Sequence, residues 1–226
     1  MSRKAFQRLS QDQRRRDLLE ATLSCVAQHG LAGTSVRRVA EAAGVSPGLI
    51  RHHFGTKDDM VRAAYAYMMG QLTSDIADAS PASDDSPACR LARFIAASLT
   101  QPNLAAHKIS LWATFIGRVR HDASYSAVHQ ETYREFLDLL AQLVQPVLNA
   151  HALPATESEC QEQAIALNGL IDGLWLEGGL EHGLYPVERL PVIAIRAAEG
   201  ILRLPQGTLL EHVVIATPPP SPSHRS

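Results

Sequence analysis

Apolar residues recur three and four positions apart along most of the chain, and no segment alternates apolar and polar residues as a half-buried strand does. This spacing predicts an all-α fold, because it gives each helix one apolar face to bury. A first long helix is expected at about 11–29, ending at Gly30. Later helices are expected near 88–100, 104–119, 124–150, 157–181 and 186–203.

Two short helices separated by a tight turn are predicted within residues 35–54. Ser35 can cap the first helix, and Gly44 can turn the chain at its end, because glycine adopts positive φ freely. Ser46 can cap the second helix, with Pro47 at the first helical position, where the missing N–H costs nothing. A helix, a glycine turn and a helix in this order predict a helix-turn-helix motif.

The charge of the chain is distributed unevenly. The formal net charge is −2, but residues 1–62 contain 11 Lys and Arg against 6 Asp and Glu. The N-terminal quarter is therefore basic, and the remainder of the chain is acidic. A basic segment that carries a helix-turn-helix predicts binding to double-stranded DNA, the polyanion that this motif fits.

The second short helix is expected to have one buried and one exposed face. Ile50 and Phe54, four residues apart, face the core in this prediction, so Arg51 faces outward. Arg51 is the leading candidate for a base or phosphate contact, because a guanidinium pairs well with guanine and with phosphate. The predicted DNA-binding residues are Thr34, Ser35, Arg37, Ser46, Pro47, Gly48, Leu49, Arg51, His52, His53 and Lys57. The residues among them that are expected to contact phosphate are Thr34, Ser35, Arg37, Ser46, His53 and Lys57. The alternative interpretation of the whole segment is a capped, solvated surface on an ordinary helical bundle.

Several classes of protein are disfavoured by what the sequence lacks. No run of residues is long and apolar enough to span a bilayer, and no signal-peptide pattern opens the chain, so a cytoplasmic protein is expected. Three distant cysteines favour reduced thiols. No P-loop, dinucleotide-binding, H-E-x-x-H or C-x-x-C pattern occurs, and the histidines lack metal-ligand spacing. We therefore expect no enzyme, cofactor, metal or membrane partner.

Three short motifs follow one another between residues 13 and 65: Thr34-Ser35-Val36-Arg37-Arg38-Val39-Ala40, Ala43-Gly44-Val45-Ser46 and His53-Phe54-Gly55-Thr56-Lys57. In order and spacing they resemble the TetR-type bacterial transcriptional regulators. The resemblance implies a homodimer, expected to be a repressor, whose N-terminal helices bind a palindromic operator. It also implies a C-terminal domain with a small-molecule pocket and the dimer interface. The family usually has a DNA-contacting Tyr where this chain has Arg51, so the operator sequence is left open.

These motifs divide the chain into three parts. We expect a helix-turn-helix DNA-binding domain at 1–62 and a helical effector-binding and dimerisation domain at 63–204. Residues 205–226 include Thr-Pro-Pro-Pro-Ser-Pro-Ser and are expected to form a disordered tail. The last two long helices are apolar enough to need a partner. The resemblance places them in a four-helix dimer interface, and packing within one subunit is the alternative.

Two C-terminal segments carry a second resemblance: Lys-Ile-Ser-Leu-Trp-Ala-Thr-Phe at 108–115, and Leu-Ile-Asp-Gly-Leu-Trp-Leu-Glu-Gly-Gly-Leu at 170–180. They are similar to the BetI-type repressors of glycine betaine synthesis, which implies choline as the effector. A quaternary ammonium ion is held by aromatic faces and a carboxylate, and the candidates are Trp112, Phe115, Asp172 and Trp175. The alternative is that these are core or dimer-interface residues. A second alternative is another effector, a drug or metabolite that controls an efflux or catabolic operon.

Overall fold

The computed structural model describes residues 3–78, 86–181 and 183–213. Within these ranges it contains nine α-helices and no strand, which confirms the predicted all-α class. The helices are α1 (Arg3–Gly33), α2 (Val36–Ala42), α3 (Pro47–Phe54), α4 (Lys57–Asp78), α5 (Pro87–Ser98), α6 (Ala106–Val119), α7 (Ala123–Ala150), α8 (Glu157–Gly179) and α9 (Leu190–Ile201). Short 3-10 helices cover Val187–Arg189 and Leu210–His212. None of the helices in the described ranges is long and apolar enough to cross a membrane.

The first helix starts earlier than expected and is interrupted where its end was expected. α1 begins at Arg3 rather than near residue 11. Gly30 lies within it at φ 67° and ψ 174°, a left-handed value of φ that favours glycine. The carbonyl of Gly30 accepts hydrogen bonds from both the backbone N–H and the hydroxyl of Thr34, at 3.1 and 2.8 Å. These bonds hold the kinked end of α1 just before α2 begins.

The described residues form two compact units. Unit 1 comprises the described residues within 1–75 and 105–136, and unit 2 comprises those within 76–104 and 137–226. α6 and the first half of α7 therefore belong to unit 1, although the sequence places them in a second domain that starts at residue 63. The physical reason is that α6 and α7 contribute side chains to the core built on α1 and α4.

Unit 1 is organised around one hydrophobic core. Its buried members from α1 to α4 include Leu18, Leu19, Val26, Val39, Ala40, Ile50, Phe54, Met60 and Ala64. Three aromatic rings complete it: the ring of Phe115 on α6 stacks on that of Tyr65 on α4 at 4.9 Å, and the ring of Tyr125 on α7 lies tilted at 6.0 Å from that of Tyr65. Burial of each large apolar side chain stabilises the fold by roughly 1.5–3 kcal/mol. The helix-turn-helix is thereby fixed firmly to its neighbours.

Unit 2 packs α5, α8 and α9 against one another. The helices approach closely at Gly178 of α8, where a Cβ atom would lie 2.7 Å from methyl groups of both Leu104 and Leu190. A side chain at this position would force the two leucines apart. Glycine at this position therefore lets the leucine side chains pack directly against the backbone of α8.

The start of the predicted tail is packed against unit 2, which corrects the expectation of disorder for residues 205–213. Leu209 is fully buried. The Glu199 carboxylate of α9 is also buried, and it accepts hydrogen bonds from the backbone N–H groups of Gly207, Leu209 and Leu210 at 2.8–3.1 Å. A buried carboxylate needs such donors to offset lost hydration, and the segment supplies them. Residues 214–226 lie outside the described residues.

Candidate DNA-binding surface

The turn between α2 and α3 is tight and hydrogen-bonded. Gly44 adopts φ 65°, and the N–H of Val45 donates to the carbonyl of Ala40 at 2.9 Å. Val39 and Ala40 of α2 are almost fully buried, and these short side chains let α2 and α3 pack close together. The geometry is the helix, turn and helix that the sequence predicts.

α3 is capped and has two distinct faces. The hydroxyl of Ser46 accepts a hydrogen bond from the N–H of Leu49 at 3.4 Å, and Pro47 occupies the first turn. Ile50 and Phe54 are buried, as expected. The exposed positions of this segment are Ser46, Pro47, Gly48, Arg51 and His52, while Leu49 and His53 are half-buried. One face of α3 is therefore available to a partner.

Ser46 also lies in a short sequence pattern that marks a catalytic serine in other folds. Gly44-Val45-Ser46-Pro47-Gly48 spells G-x-S-x-G, the pattern of a serine nucleophile placed between a strand and a helix. Here no strand precedes Ser46 in the described part of the chain, and its hydroxyl is used to cap α3. The structure gives this serine a helix-capping role.

The flanking residues divide into exposed and internally used groups. Ser35 and Arg37 are exposed at the start of α2, and the Ser35 hydroxyl accepts a hydrogen bond from the N–H of Arg38 at 3.2 Å. Thr34 is only 1% exposed and its hydroxyl bonds to Gly30, so the structure gives it a packing role in place of the expected phosphate contact. The half-buried Lys57 donates from Nζ to the carbonyl of Leu31 at 3.0 Å, which leaves two ammonium hydrogens for other partners.

Arg14 and Arg15 of α1 lie beside α3. Partial burial lowers the pKa of His53, and electrostatic interactions with His52, Arg14 and Arg15 lower it further. The guanidinium of Arg15 lies 5.3 Å from the centre of the Phe54 ring. The Arg14-Arg15-Arg16 run is visible in the sequence as a cluster of positive charge. Only the packing of α1 against α3 shows that this charge lies next to the predicted recognition helix. α1 therefore extends the basic surface.

Phe115 and Trp112, two of the four effector candidates, lie on α6 in unit 1. Phe115 has no exposed surface, and its ring packs against those of Tyr65 and Tyr125 at 4.9 and 6.3 Å. Trp112 is half-buried and packs against the same core. The structure therefore uses Phe115 as a core side chain.

Asp172 and Trp175, the other two candidates, lie three residues apart on α8 in unit 2. Trp175 is 8% exposed, and its indole N–H donates to the carbonyl of Asn103 at 2.8 Å. Asp172 is exposed and accepts a hydrogen bond from the amide of Asn168 at 2.9 Å. Desolvation by the surrounding protein raises the pKa of Asp172, while the Asn168 bond opposes that rise. The two side chains therefore differ in exposure, and Trp175 is already used in a hydrogen bond within unit 2.

The fold and the basic face of α3 define the class of this protein: it is a helix-turn-helix DNA-binding protein. Residues 18–64 match the model of the TetR family of bacterial regulatory proteins. Residues 87–203 match the model of the C-terminal domain of BetI-type transcriptional repressors. The chain therefore belongs to the TetR family, with a BetI-type C-terminal domain, and is a transcriptional regulator rather than an enzyme.

Relatives and solved structures agree with this assignment. The chain is 33% identical over 171 residues to the HTH-type transcriptional regulator BetI of Burkholderia thailandensis, which covers 75% of this chain and 84% of that protein. A solved regulator from Pseudomonas aeruginosa PAO1 is 31% identical, with a TM-score of 0.75, over 92% of this chain and 98% of that one. A regulator from Saccharomonospora viridis, solved in complex with choline, is 19% identical with a TM-score of 0.66, over 81% and 94% of the two chains, and shows the same fold.

Proposed function

We propose that this protein is a dimeric transcriptional repressor that binds a palindromic operator through α3 and releases it on binding a small molecule. The observation that carries the DNA-binding part is the exposed face of a capped α3 whose opposite face, at Ile50 and Phe54, is buried in the core of unit 1. A recognition helix held in this way keeps its outward side chains in a fixed position, as base contacts require.

The proposed contacts follow from exposure. In this proposal Arg51 enters the major groove, where its guanidinium can pair with a guanine or a phosphate. Ser35, Arg37 and Ser46 lie exposed at the starts of the two helices, where hydroxyl and guanidinium groups can hold phosphates. Arg14 joins this set, because it lies near His53 on the same basic surface. Thr34 is left out, because its hydroxyl is buried and bonded to Gly30.

The proposed dimer is supported by where apolar side chains remain exposed. Ile165, Leu180, Leu184 and Ile193 are the exposed large hydrophobic residues of the described chain, and all four lie in unit 2 on α8, α9 or the segment between them. Exposed apolar side chains concentrated in one region are typical of an interaction surface. We propose that a second copy of the chain covers them.

The proposed effector is choline. Support comes from the BetI-type domain at 87–203 and from the Saccharomonospora viridis regulator, whose solved structure contains choline. The cage predicted from Trp112, Phe115, Asp172 and Trp175 stays a hypothesis. For Phe115 and Trp175 to face a cation, both rings would have to leave their packed positions. Choline would then favour a state whose two recognition helices no longer match half-sites about one DNA turn apart.

The test is a fluorescence-anisotropy titration of the purified protein against the DNA upstream of its own gene. It is run at two salt concentrations, with and without choline, on wild type, Arg51→Ala and the matched control Arg134→Ala on the exposed part of α7. Specific binding that Arg51→Ala weakens and choline releases would support the whole proposal. Specific binding that choline leaves unchanged would keep the regulator and replace the effector.

Two further outcomes bear on the proposal. If Arg51→Ala binds the operator as wild type does, with the same salt dependence, the assigned recognition face is wrong. Because coupling between ligands is reciprocal, the operator must also weaken choline binding to the same extent that choline weakens operator binding. Choline binding that the operator leaves unchanged would rule out choline as the ligand that releases it.

A further inference from the structure

A groove lies between α1, α4 and α6 within unit 1, and the proposed DNA binding makes no use of it. Its volume of about 530 Å³ is in the range of small-molecule sites. All three helices contribute apolar side chains to its lining: Leu23 and Ala27 of α1, Met68 and Leu72 of α4, and Leu111 of α6. Met68 and Leu111 are buried, so the groove has an apolar floor.

Two polar contacts join the three helices at this groove. The hydroxyl of Tyr67 on α4 donates a hydrogen bond to the Glu20 carboxylate of α1 at 2.9 Å. Nζ of Lys108 on α6 donates to the Asp75 carboxylate of α4, also at 2.9 Å. All four residues line the groove. The positive charge of Lys108 is therefore matched by the negative charge of Asp75.

The charge of Glu20 is not matched in this way. Glu20 is exposed, and within the described ranges no Lys, Arg or His side chain forms an ion pair with it. The Tyr67 hydroxyl supplies one hydrogen bond, and a carboxylate can accept several, so acceptor positions remain on its two oxygens. The groove therefore combines an apolar floor with one carboxylate that has room for a cation.

The Tyr67 phenol responds to both carboxylates of the groove. Desolvation, the hydrogen bond to Glu20 and the charges of Glu20 and Asp75 raise the pKa of Tyr67 to about 12, although Arg16 opposes the rise. Nearby negative charge raises the pKa of a phenol because it disfavours the phenolate. The two carboxylates therefore act on the same part of the groove, and a cation bound there would be attracted by both.

This combination selects the chemistry of a ligand. An alkyl chain can leave water by lying against Leu23, Leu72 and Leu111. A primary ammonium group can donate a hydrogen bond to Glu20, and such a bond is strong because both of its groups are charged. A carboxylate ligand would be repelled by Glu20 and Asp75, and an alcohol would gain no charge pairing. An organic ammonium ion with an apolar tail therefore fits the groove best.

We propose that the groove between α1, α4 and α6 binds a primary ammonium ion with an apolar tail, its ammonium group on Glu20 and its tail along the apolar floor. The residues of the predicted choline cage do not line this groove, so it is a separate site; they are Trp112, Phe115, Asp172 and Trp175. α1 also packs against α2 in unit 1, so the ligand holds a helix on which the helix-turn-helix is built. The inference depends neither on the proposed dimer nor on choline.

The test is isothermal titration calorimetry of the full chain with octylamine, in phosphate buffer near neutral pH, where the amine is protonated. Octanoate and octanol have the same chain length with a negative charge and with no charge, and both are expected to bind roughly tenfold more weakly. Butylamine keeps the charge and shortens the tail. It is also expected to bind roughly tenfold more weakly, because four fewer methylene groups leave water.

Two substitutions locate the site, each with a matched control. Glu20→Gln removes the charge with little change of shape and should raise the Kd of octylamine roughly threefold to tenfold, whereas Glu41→Gln on the exposed part of α2 should not. Ala27→Leu places a larger side chain at the groove and should also weaken octylamine binding. Its control is Ala113→Leu, at an exposed position of α6 outside the groove. Thermal unfolding of each variant checks that it folds.

The outcomes separate this site from the proposed effector site. Octylamine binding that Glu20→Gln and Ala27→Leu weaken, and that both controls leave unchanged, would support the ammonium site. Absence of octylamine binding, equal affinity for octylamine and octanoate, or an unchanged Kd in Glu20→Gln would overturn it. Saturating choline should leave the Kd of octylamine unchanged. Competition between choline and octylamine that Glu20→Gln removes would place choline in the groove and overturn the claim of a separate site.

Discussion

The hydroxyl of Tyr65 and Nδ1 of His129 lie 3.0 Å apart and join α4 to α7 inside unit 1. Tyr65 is fully buried beneath the Phe115 ring, and the His129 ring stacks on Tyr133 at 5.5 Å. Burial raises the pKa of Tyr65 to about 12 and lowers the pKa of His129 below its ordinary 6.5. Both groups are therefore neutral at physiological pH, a state in which a phenol O–H donates well to an imidazole nitrogen.

This pair predicts that acid destabilises the protein. The unfolded imidazole of His129 takes up a proton near pH 6.5, while the folded one resists protonation. The stabilisation is therefore fully present above about pH 6.5 and is lost as the pH falls towards the lower folded pKa. The free energy of unfolding, measured by urea titration, is expected to fall between about pH 7.5 and pH 5.5. His129→Gln should reduce this dependence.

The histidine control identifies the group responsible. His121→Gln changes an exposed residue and should keep the wild-type dependence on pH. Some dependence should remain in His129→Gln, because burial and the nearby Arg14 and Arg15 lower the pKa of His53 in the same direction. If the free energy of unfolding depends on pH equally in His129→Gln and wild type, His129 does not cause the loss of stability in acid.

Gly178 is expected to resist substitution, although alanine usually favours a helix. Gly178→Ala places a methyl group 2.7 Å from the side chains of Leu104 and Leu190, so overpacking should cost about 1–3 kcal/mol of stability. The matched control is Gly117→Ala in α6, where the added Cβ meets nothing within 4 Å, and a gain of up to about 1 kcal/mol is expected there. Thermal unfolding measures both, and opposite signs are required.

Glu199 is expected to hold the segment after α9 in place. Glu199→Gln removes the charge from a buried acceptor of three backbone N–H groups and turns part of the side chain into a donor. A loss of about 2 kcal/mol is expected, since bonds to a charged acceptor contribute about 1.5–3 kcal/mol. Limited trypsin digestion should then cut after Arg203 sooner than in wild type. Unchanged cleavage would show that Leu209 burial alone fixes the segment.

Two arginines of the DNA-binding surface should affect binding differently. Arg51→Ala is expected to lose about 1–3 kcal/mol of operator affinity and to relax the preference at one base position. Arg37→Ala is expected to weaken operator and random DNA about equally and to reduce the slope of log affinity against log salt by about 1. Anisotropy titrations on operator variants at several salt concentrations measure both effects. If Arg37→Ala changed sequence preference instead, the proposed roles would have to be exchanged.

The sequence by itself determined the helices and the motif of α2 and α3. Ser35 and Ser46 cap helices through hydrogen bonds to residues three positions later, and Gly44 turns the chain through its own φ. These interactions are local, so the order of residues specifies them before any packing occurs. The burial of Ile50 and Phe54 was predictable for the same reason, because helical spacing places them on one face.

The tertiary structure decided which side chains are used inside the fold and which remain available. Thr34 was expected to contact phosphate, but the kink at Gly30 buries its hydroxyl. Trp175 bonds to a carbonyl 72 residues away. Glu199 draws residues 207–210 into unit 2. Each outcome depends on the meeting of segments distant in the chain, and residue spacing along one helix does not specify which segments meet.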